Sequence, residues 1–419
     1  MSNKQERHCF PKTEILMKPL FYSLPPAGQK LSLKALINCM ANLSADTRVR
    51  AIDAVKRYLN NDHVLYLSSG RAALWLYLKT ISALKPERKQ VIIPAYTCPS
   101  LVSSVLRAGL IPVLCDNNLE DFGFLLEELE NKIGVDTLAV VAVHLYGMPA
   151  KIEKIQTLCL NNEIILVEDA AQAFGNTFSE NPEMKLGLNG DAGFFSFGRG
   201  KPVSILHGGI LALKSRDIYE KAVNLYERMN GCTTFREVNY CVSLSLYSFF
   251  YNPRFYWIPR MITSLNLGGT VFEPDFEICR GNNMAIALAC EMIDSIEMDK
   301  KVRGENSKWY SDNLTGYQST GIRLVPGYPY LRHPLLIGDA DLRNRILENL
   351  MEKGTGATGS YPAPLNELPS LKGVLADDRE YHNAQKIAAS IVTLPVHSMV
   401  TAKDRESIKK IIEQGSHAH

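Results

Sequence analysis

Between positions 64 and 213 the chain repeats one pattern: a short run of successive apolar residues, then a longer stretch whose apolar residues recur every three or four positions. The short runs fall at residues 64–67, 90–94, 111–116, 138–144, 164–167, 193–197 and 208–213. Apolar at consecutive rather than alternate positions, they predict strands buried on both faces. The stretches at 72–84, 99–108 and 152–161, and the one holding Glu127, Leu129 and Ile133, predict helices. Strand and helix in alternation give an α/β fold, a mostly parallel sheet with helices on both sides. Ligands of such sheets bind beyond the carboxyl ends of the strands, where Asp116, His144 and Asp169 fall.

The pattern changes after residue 213. Residues 216–276 read as helical and unusually aromatic, with Tyr247, Phe249, Phe250, Tyr251, Phe255, Tyr256 and Trp257 close together. Arg254 and Arg260 lie among them, which would also suit a membrane surface or nucleic acid, but a packed helix or a subunit interface fits better. Residues 280–313 read as one long helix leading out of a large domain. Strands at 331–337 and 390–395, with helices at 341–353 and 401–414, then describe a smaller α/β domain. At the other end Pro11, Pro19, Pro25 and Pro26 mark an irregular arm, and helical spacing begins near Leu36. The expected organisation is an arm (1–35), a large domain (36–300) with a helical aromatic insertion (216–276), and a small C-terminal domain (301–419).

A length of 419 residues suits two such domains. The net charge of only +2 argues against nucleic acid or an anionic surface as partner. Nine cysteines without a C-x-x-C pair argue against metal sites, and their odd number favours reduced thiols and a cytoplasmic location. The first residues are polar, unlike a signal peptide, and no apolar run is long enough for a transmembrane segment.

The chemistry concentrates between Asp169 and Lys201. Asp169 ends one buried run; Ser196 ends another, followed by Gly198-Arg199-Gly200-Lys201. A carboxylate at one strand end, an amine past the next and a serine between suit pyridoxal 5'-phosphate. That cofactor needs an acid at its ring nitrogen, an amine for its aldehyde and donors for its phosphate. Ser69-Gly70-Arg71, between a strand and a helix, suits either phosphate binding or an ordinary serine N-cap.

Several segments together resemble the DegT/DnrJ/EryC1/StrS family of sugar aminotransferases, from about Leu65 to the C-terminal helix. They are Ser69-Gly70-Arg71-Ala72-Ala73-Leu74, Ile93-Pro94-Ala95-Tyr96-Thr97, Pro112-Val113-Leu114-Cys115-Asp116, Val143-His144-Leu145-Tyr146-Gly147-Met148-Pro149, Glu168-Asp169-Ala170-Ala171-Gln172-Ala173-Phe174-Gly175, and Phe195-Ser196-Phe197 ahead of Lys201. The resemblance implies the three-layer fold of pyridoxal-phosphate transferases, a homodimer with shared active sites, and Lys201 as Schiff-base lysine. It implies Asp169 at the pyridine nitrogen and Gln172 near the ring's phenolic oxygen. Ser69, Gly70 and Ser196 would meet the phosphate, while Arg71 replaces the family's threonine. Cys98 replaces the aromatic residue usual over the ring, for which Tyr96 could substitute. Arg199, Tyr361, Asn282 and His144 fall where substrate or phosphate contacts, or a structural histidine, would be expected; at Tyr361 the family's nearby histidine is missing.

The implied reaction moves an amino group from glutamate or glutamine to a keto sugar, nucleotide-linked, through the Lys201 Schiff base. Two alternatives stand beside it: dehydration on the same scaffold, whose relatives have histidine in place of lysine, and a cofactor-binding sensor that has lost turnover.

Overall fold

The computed structural model describes residues 21–31, 33–41, 45–261, 272–317, 321–375 and 377–417. Helices α1 (Leu33–Ala41) and α2 (Ala45–Leu59) precede the first strand. Strand and helix then alternate: β1 (Val64–Leu67), α3 (Gly70–Leu84), β2 (Gln90–Pro94), α4 (Ser100–Arg107), β3 (Ile111–Cys115), α5 (Leu126–Lys132), β4 (Thr137–Val143), α6 (Ile152–Asn161) and β5 (Ile165–Asp169). β6 (Ala192–Ser196) and β7 (Gly209–Leu213) complete a seven-stranded sheet in the order β1-β7-β6-β5-β4-β2-β3. The fold is α/β, as the pattern of apolar runs predicts.

Strands β3, β2, β4, β5 and β6 run parallel, while β7 lies antiparallel between β6 and β1. Parallel return needs a long crossover, which the helix-free stretch 170–191 supplies between β5 and β6; the shorter stretch 197–208 brings β7 back the other way. Successive strand residues face opposite sides of the sheet. Ile93, Val141 and Val167 enter a core with Leu76 and Val102, whereas Ile92, Val140 and Leu166 meet Ile155 and Leu129 on the other face. Double burial is the reason the strands read as unbroken apolar runs.

Helices α7 (Arg216–Glu227), α8 (Thr234–Phe250) and α9 (Trp257–Met261) follow. The stretch expected as one helix at 280–313 is two, α10 (Asn283–Ile293) and α11 (Ile296–Asn313). Asp294 and Ser295 part them. α10 is buried on nearly every side, whereas α11 is rich in charge, so the two halves answer to different surroundings.

The remaining elements are β8 (Arg332–Leu336), α12 (Ala340–Glu352), α13 (His382–Ser390), β9 (Ile391–Pro395) and α14 (Ala402–His417). β8 and β9 form a two-stranded antiparallel sheet over a core of Tyr310, Ile346, Leu350, Ile408 and Ile412. Several joints hold this unit to the rest of the chain. Asp116, just past β3, accepts the N–H groups of Asn383 and Ala384 at 3.0 and 2.9 Å, anchoring the start of α13. The chain at 21–31 forms another joint: Ser23 N–H donates to Pro253 O and Leu24 N–H to Gly354 O, both at 2.8 Å, and His397 Nε2 donates to Pro25 O at 2.8 Å. Gly28 in this arm has φ +109° and packs on Ser204 and Tyr251, where a side chain would meet the Tyr251 hydroxyl.

Candidate functional site

β5 ends in Glu168 and Asp169, whose side chains leave opposite faces of the strand. Glu168 is fully buried. Its Oε2 accepts from His144 Nε2 at 2.8 Å and Gly187 N–H at 3.0 Å, its Oε1 from Asn189 and Gly190 N–H at 2.5 and 2.7 Å. Burial alone would raise its pKa; His144 and the backbone donors outweigh burial and hold it below the usual range. His144 Nδ1 accepts Ala150 N–H at 3.1 Å, so Nε2 carries the proton and donates to Glu168. His144 is thus a structural clamp, one of the two roles its position allowed.

Asp169 is also buried, with different company. One oxygen accepts Ala171 N–H at 2.9 Å, and no described residue donates to the other. Burial pushes its pKa up, against the pull of Lys201, that N–H and His144. Lys201 follows β6 and is largely enclosed. Burial holds its pKa below the ordinary lysine value, Cys98 and Asp169 pull it up, and the Arg332 charge pushes it down. Lys201 and Asp169 therefore act on one another inside a single site. A buried amine with a depressed pKa is a better nucleophile and base than a solvated one.

The serines lie where β1, β6 and β7 meet α3. Ser69 Oγ accepts Ala72 N–H at 3.2 Å as N-cap of α3, so the ordinary cap is realised in its side chain. Gly70 opens the helix; a Cβ there would stand 3.0 Å from that of Ser196. Ser196 Oγ accepts Gly198 N–H at 3.3 Å and keeps its own hydrogen to donate. Gly209 passes so close beneath the Ser69–Gly70 turn that any side chain would overlap its backbone.

A layer of tyrosines closes the other side. Gln172 Oε1 accepts Tyr146 N–H at 3.1 Å and its Nε2 donates to Tyr361 Oη at 3.3 Å. Tyr96 Oη donates to Tyr361 O at 3.2 Å, with ring centroids 5.5 Å apart, edge to face. Tyr146 and Ser360, both at positive φ, share a 2.6 Å hydrogen bond, and Leu365 N–H donates to Ala95 O at 2.8 Å. Cys98 accepts Ser100 Oγ–H at 2.8 Å and acts on both Lys201 and Tyr361. The structure thus gathers Lys201, Asp169, Cys98, Tyr96, Gln172 and Tyr361.

Other expected residues are engaged elsewhere. The Arg71 guanidinium pairs with Glu273 at 2.5 Å and lies 5.2 Å over the Phe276 ring, the second of the two courses open to its side chain, a phosphate contact or a partner elsewhere. Asn282, which the family resemblance would aim at a neighbouring subunit's site, caps α10 within this chain by accepting Ala285 N–H at 2.9 Å, with Nδ2 on Cys232 Sγ. Arg199 is exposed, near Tyr247 and Tyr256. Glu168, Tyr146 and Arg332 were missed by sequence reasoning; only the adjacent acids at the end of one run signalled the first. A cavity of about 620 Å³ beside α8, lined by Lys30, Lys34, Phe249 and Phe255, shares no residue with this site. No set of three His, Cys, Asp or Glu side chains among the described residues is placed to hold a metal.

The model of the DegT/DnrJ/EryC1/StrS aminotransferase family matches residues 44–413, nearly the whole chain. The chain belongs to this family. Among relatives of this DegT/DnrJ/EryC1/StrS member, the GDP-perosamine synthase of Vibrio cholerae is 29% identical over 196 residues, covering 46% of this chain and 52% of that protein. The chain thus spans about half the length of that relative in the alignment. The GDP-perosamine synthase of Caulobacter vibrioides is 23% identical over 363 residues, 85% of this chain and 86% of that one. Among solved structures, Helicobacter pylori PseC, an aminotransferase involved in the biosynthesis of pseudoaminic acid, superposes with a TM-score of 0.73 at 19% identity, covering 96% of this chain and all of that one. The likeness to PseC extends the fold to the small domain. Family membership places the chain among aminotransferases, and no helix among its described residues is long and apolar enough to cross a membrane.

Proposed function

We propose that the chain is a pyridoxal-phosphate-dependent aminotransferase that moves an amino group from glutamate or glutamine to a nucleotide-linked keto sugar. The observation that carries the reading is the pairing of a largely enclosed, pKa-depressed Lys201 with a buried Asp169 that has an oxygen to spare. The donor set fits the cofactor. Asp169 would hold a proton at the ring nitrogen; the start of α3 and the Ser196 hydroxyl would donate to the phosphate; Gln172 and Tyr361 would flank the ring. Lys201 Nζ would hold the aldehyde carbon. When bound, the cofactor supplies an electron sink for the carbon that loses its proton.

The chain's own residues do the rest. Lys201 Nζ takes the proton from the donor's α-carbon and returns it during the opposite half-reaction. The Tyr96–Tyr361 and Tyr146–Ser360 contacts close the site from the small-domain side and keep water out. The names of the two synthases support a nucleotide-linked sugar as acceptor, and Lys201 itself speaks for transamination against dehydration. We place the enzyme in the cytoplasm as a homodimer with shared active sites. The described cysteines, all free, support the compartment.

The expected result is a violet absorbance band that borohydride abolishes in the cofactor-loaded protein, shifted by glutamate, and absent with all turnover from Lys201→Ala. Unchanged turnover in that variant would rule out the assignment, and a band that no amino acid shifts would favour the sensor.

A further inference from the structure

Arg332, at the start of β8, is a cation that the contacts so far described leave without a purpose. Its Nη1 donates to Thr358 Oγ1 at 2.9 Å, and that oxygen lies 3.0 Å from Thr393 Oγ1. Thr358 and Thr393 also exchange backbone hydrogen bonds, N–H to carbonyl in both directions, so the guanidinium is steered by a fixed threonine pair. Among the described residues it has no other hydrogen-bond partner and joins no ion pair. Nη2 points toward the lysine loop: a Cβ on Gly200 would stand 4.0 Å from it. Around it lie Tyr146, Tyr251, Tyr256 and Tyr361, each of which feels its charge, as does Lys201. A guanidinium in a partly enclosed, hydroxyl-lined space with no counter-ion among the described residues calls for an anion. A guanidinium with a free edge is the side chain best shaped to receive a carboxylate.

We propose that Arg332 binds the carboxylate of the amino donor, and of the 2-oxo acid it becomes, on the small-domain side of Lys201. The inference rests on the aminotransferase reading above. In an α-amino acid the amine and the carboxylate share one carbon. The anion site must therefore stand within a residue's reach of the lysine amine that the donor displaces, and Arg332 stands against Lys201's neighbour Gly200. The cofactor phosphate is the rival anion. Its expected donors, the Ser69–Gly70 turn and Ser196, belong to the large sheet, whereas Arg332 is carried by β8.

The test uses the full-length, cofactor-loaded protein with maleate as an unreactive dicarboxylate, followed by calorimetry, and L-glutamate for kinetics. Arg332→Gln is expected to weaken maleate binding on the order of tenfold to a hundredfold and to raise the KM for glutamate, with the violet band retained. Arg332→Lys should recover part of the loss. Thr358→Val keeps the guanidinium but removes its guide, should weaken maleate by a smaller factor, and serves as the test if Arg332→Gln does not fold. Equal maleate affinity in wild type and these variants overturns the assignment, as does an Arg332→Gln protein that loses the cofactor but still binds maleate. A wild-type protein with no Lys201-dependent band fails at the earlier step, the aminotransferase reading itself.

Discussion

Two adjacent acids at the end of β5 show how far neighbours in sequence differ in chemistry. Glu168 takes five donors, the Asn189 side-chain amide among them, and has no oxygen to spare; Asp169 takes one and keeps the other oxygen open. Glu168→Gln leaves the shape almost unchanged but replaces one oxygen with an NH₂. Whichever oxygen is lost, at least two N–H groups then face a donor, and His144 loses its charged partner. The variant is expected to be about 3–5 kcal/mol less stable, measured by urea unfolding. Lys201 and Asp169 were legible in the sequence because their chemistry is written in short motifs. Glu168 was not, because its partners come from residue 144 and the turn at 187–190. Arg332 was invisible for a like reason: only the tertiary fold brings β8 beside the lysine loop.

Elements were most legible where both faces of a strand are buried, as in β2, β4 and β5. Direction was harder, since nothing in the residues of β7 marks it as antiparallel, and the links before β6 and before β7 both lack a helix although only the first joins parallel strands. The break between α10 and α11 hid because the apolar rhythm runs through it. The arm's seat against the small domain could not be read at all, as His397 and Pro25 meet only in three dimensions. His397 Nε2 donates to Pro25 O and Nδ1 accepts Met399 N–H at 3.3 Å, so a second ring proton has no place to go. Burial accordingly lowers its pKa to about 4, against an ordinary 6.5, with the backbone carbonyl only partly opposing. A depressed folded value means that stability is complete above 6.5 and is lost as pH falls toward 4, by up to about 1.4 kcal/mol per pH unit. Denaturant melts at pH 7 and 4.5 should show this loss, and His397→Gln, which keeps a donor for Pro25 without a titrating ring, should reduce it.

For the whole molecule the open question is what covers α8. Its inner face holds Tyr240 and Leu244, both buried, and the half-buried Tyr247, yet Phe235, Val238, Val242, Leu246 and Phe249 form an exposed row along the opposite side. A helix with apolar rows on two opposite sides is ordinarily covered on both. If the proposed homodimer uses this row, Leu246→Glu should give a monomer by light scattering while the fold survives; an unchanged dimer would place the interface elsewhere.

The joint made by residues 21–31 has a consequence for biosynthesis. The segment leaves the ribosome before its hydrogen-bond partners at Gly354 and His397 are made. The large sheet could gather during translation, while this stretch must wait, its apolar Leu24 and Ala27 uncovered, until almost the last strand has left the tunnel.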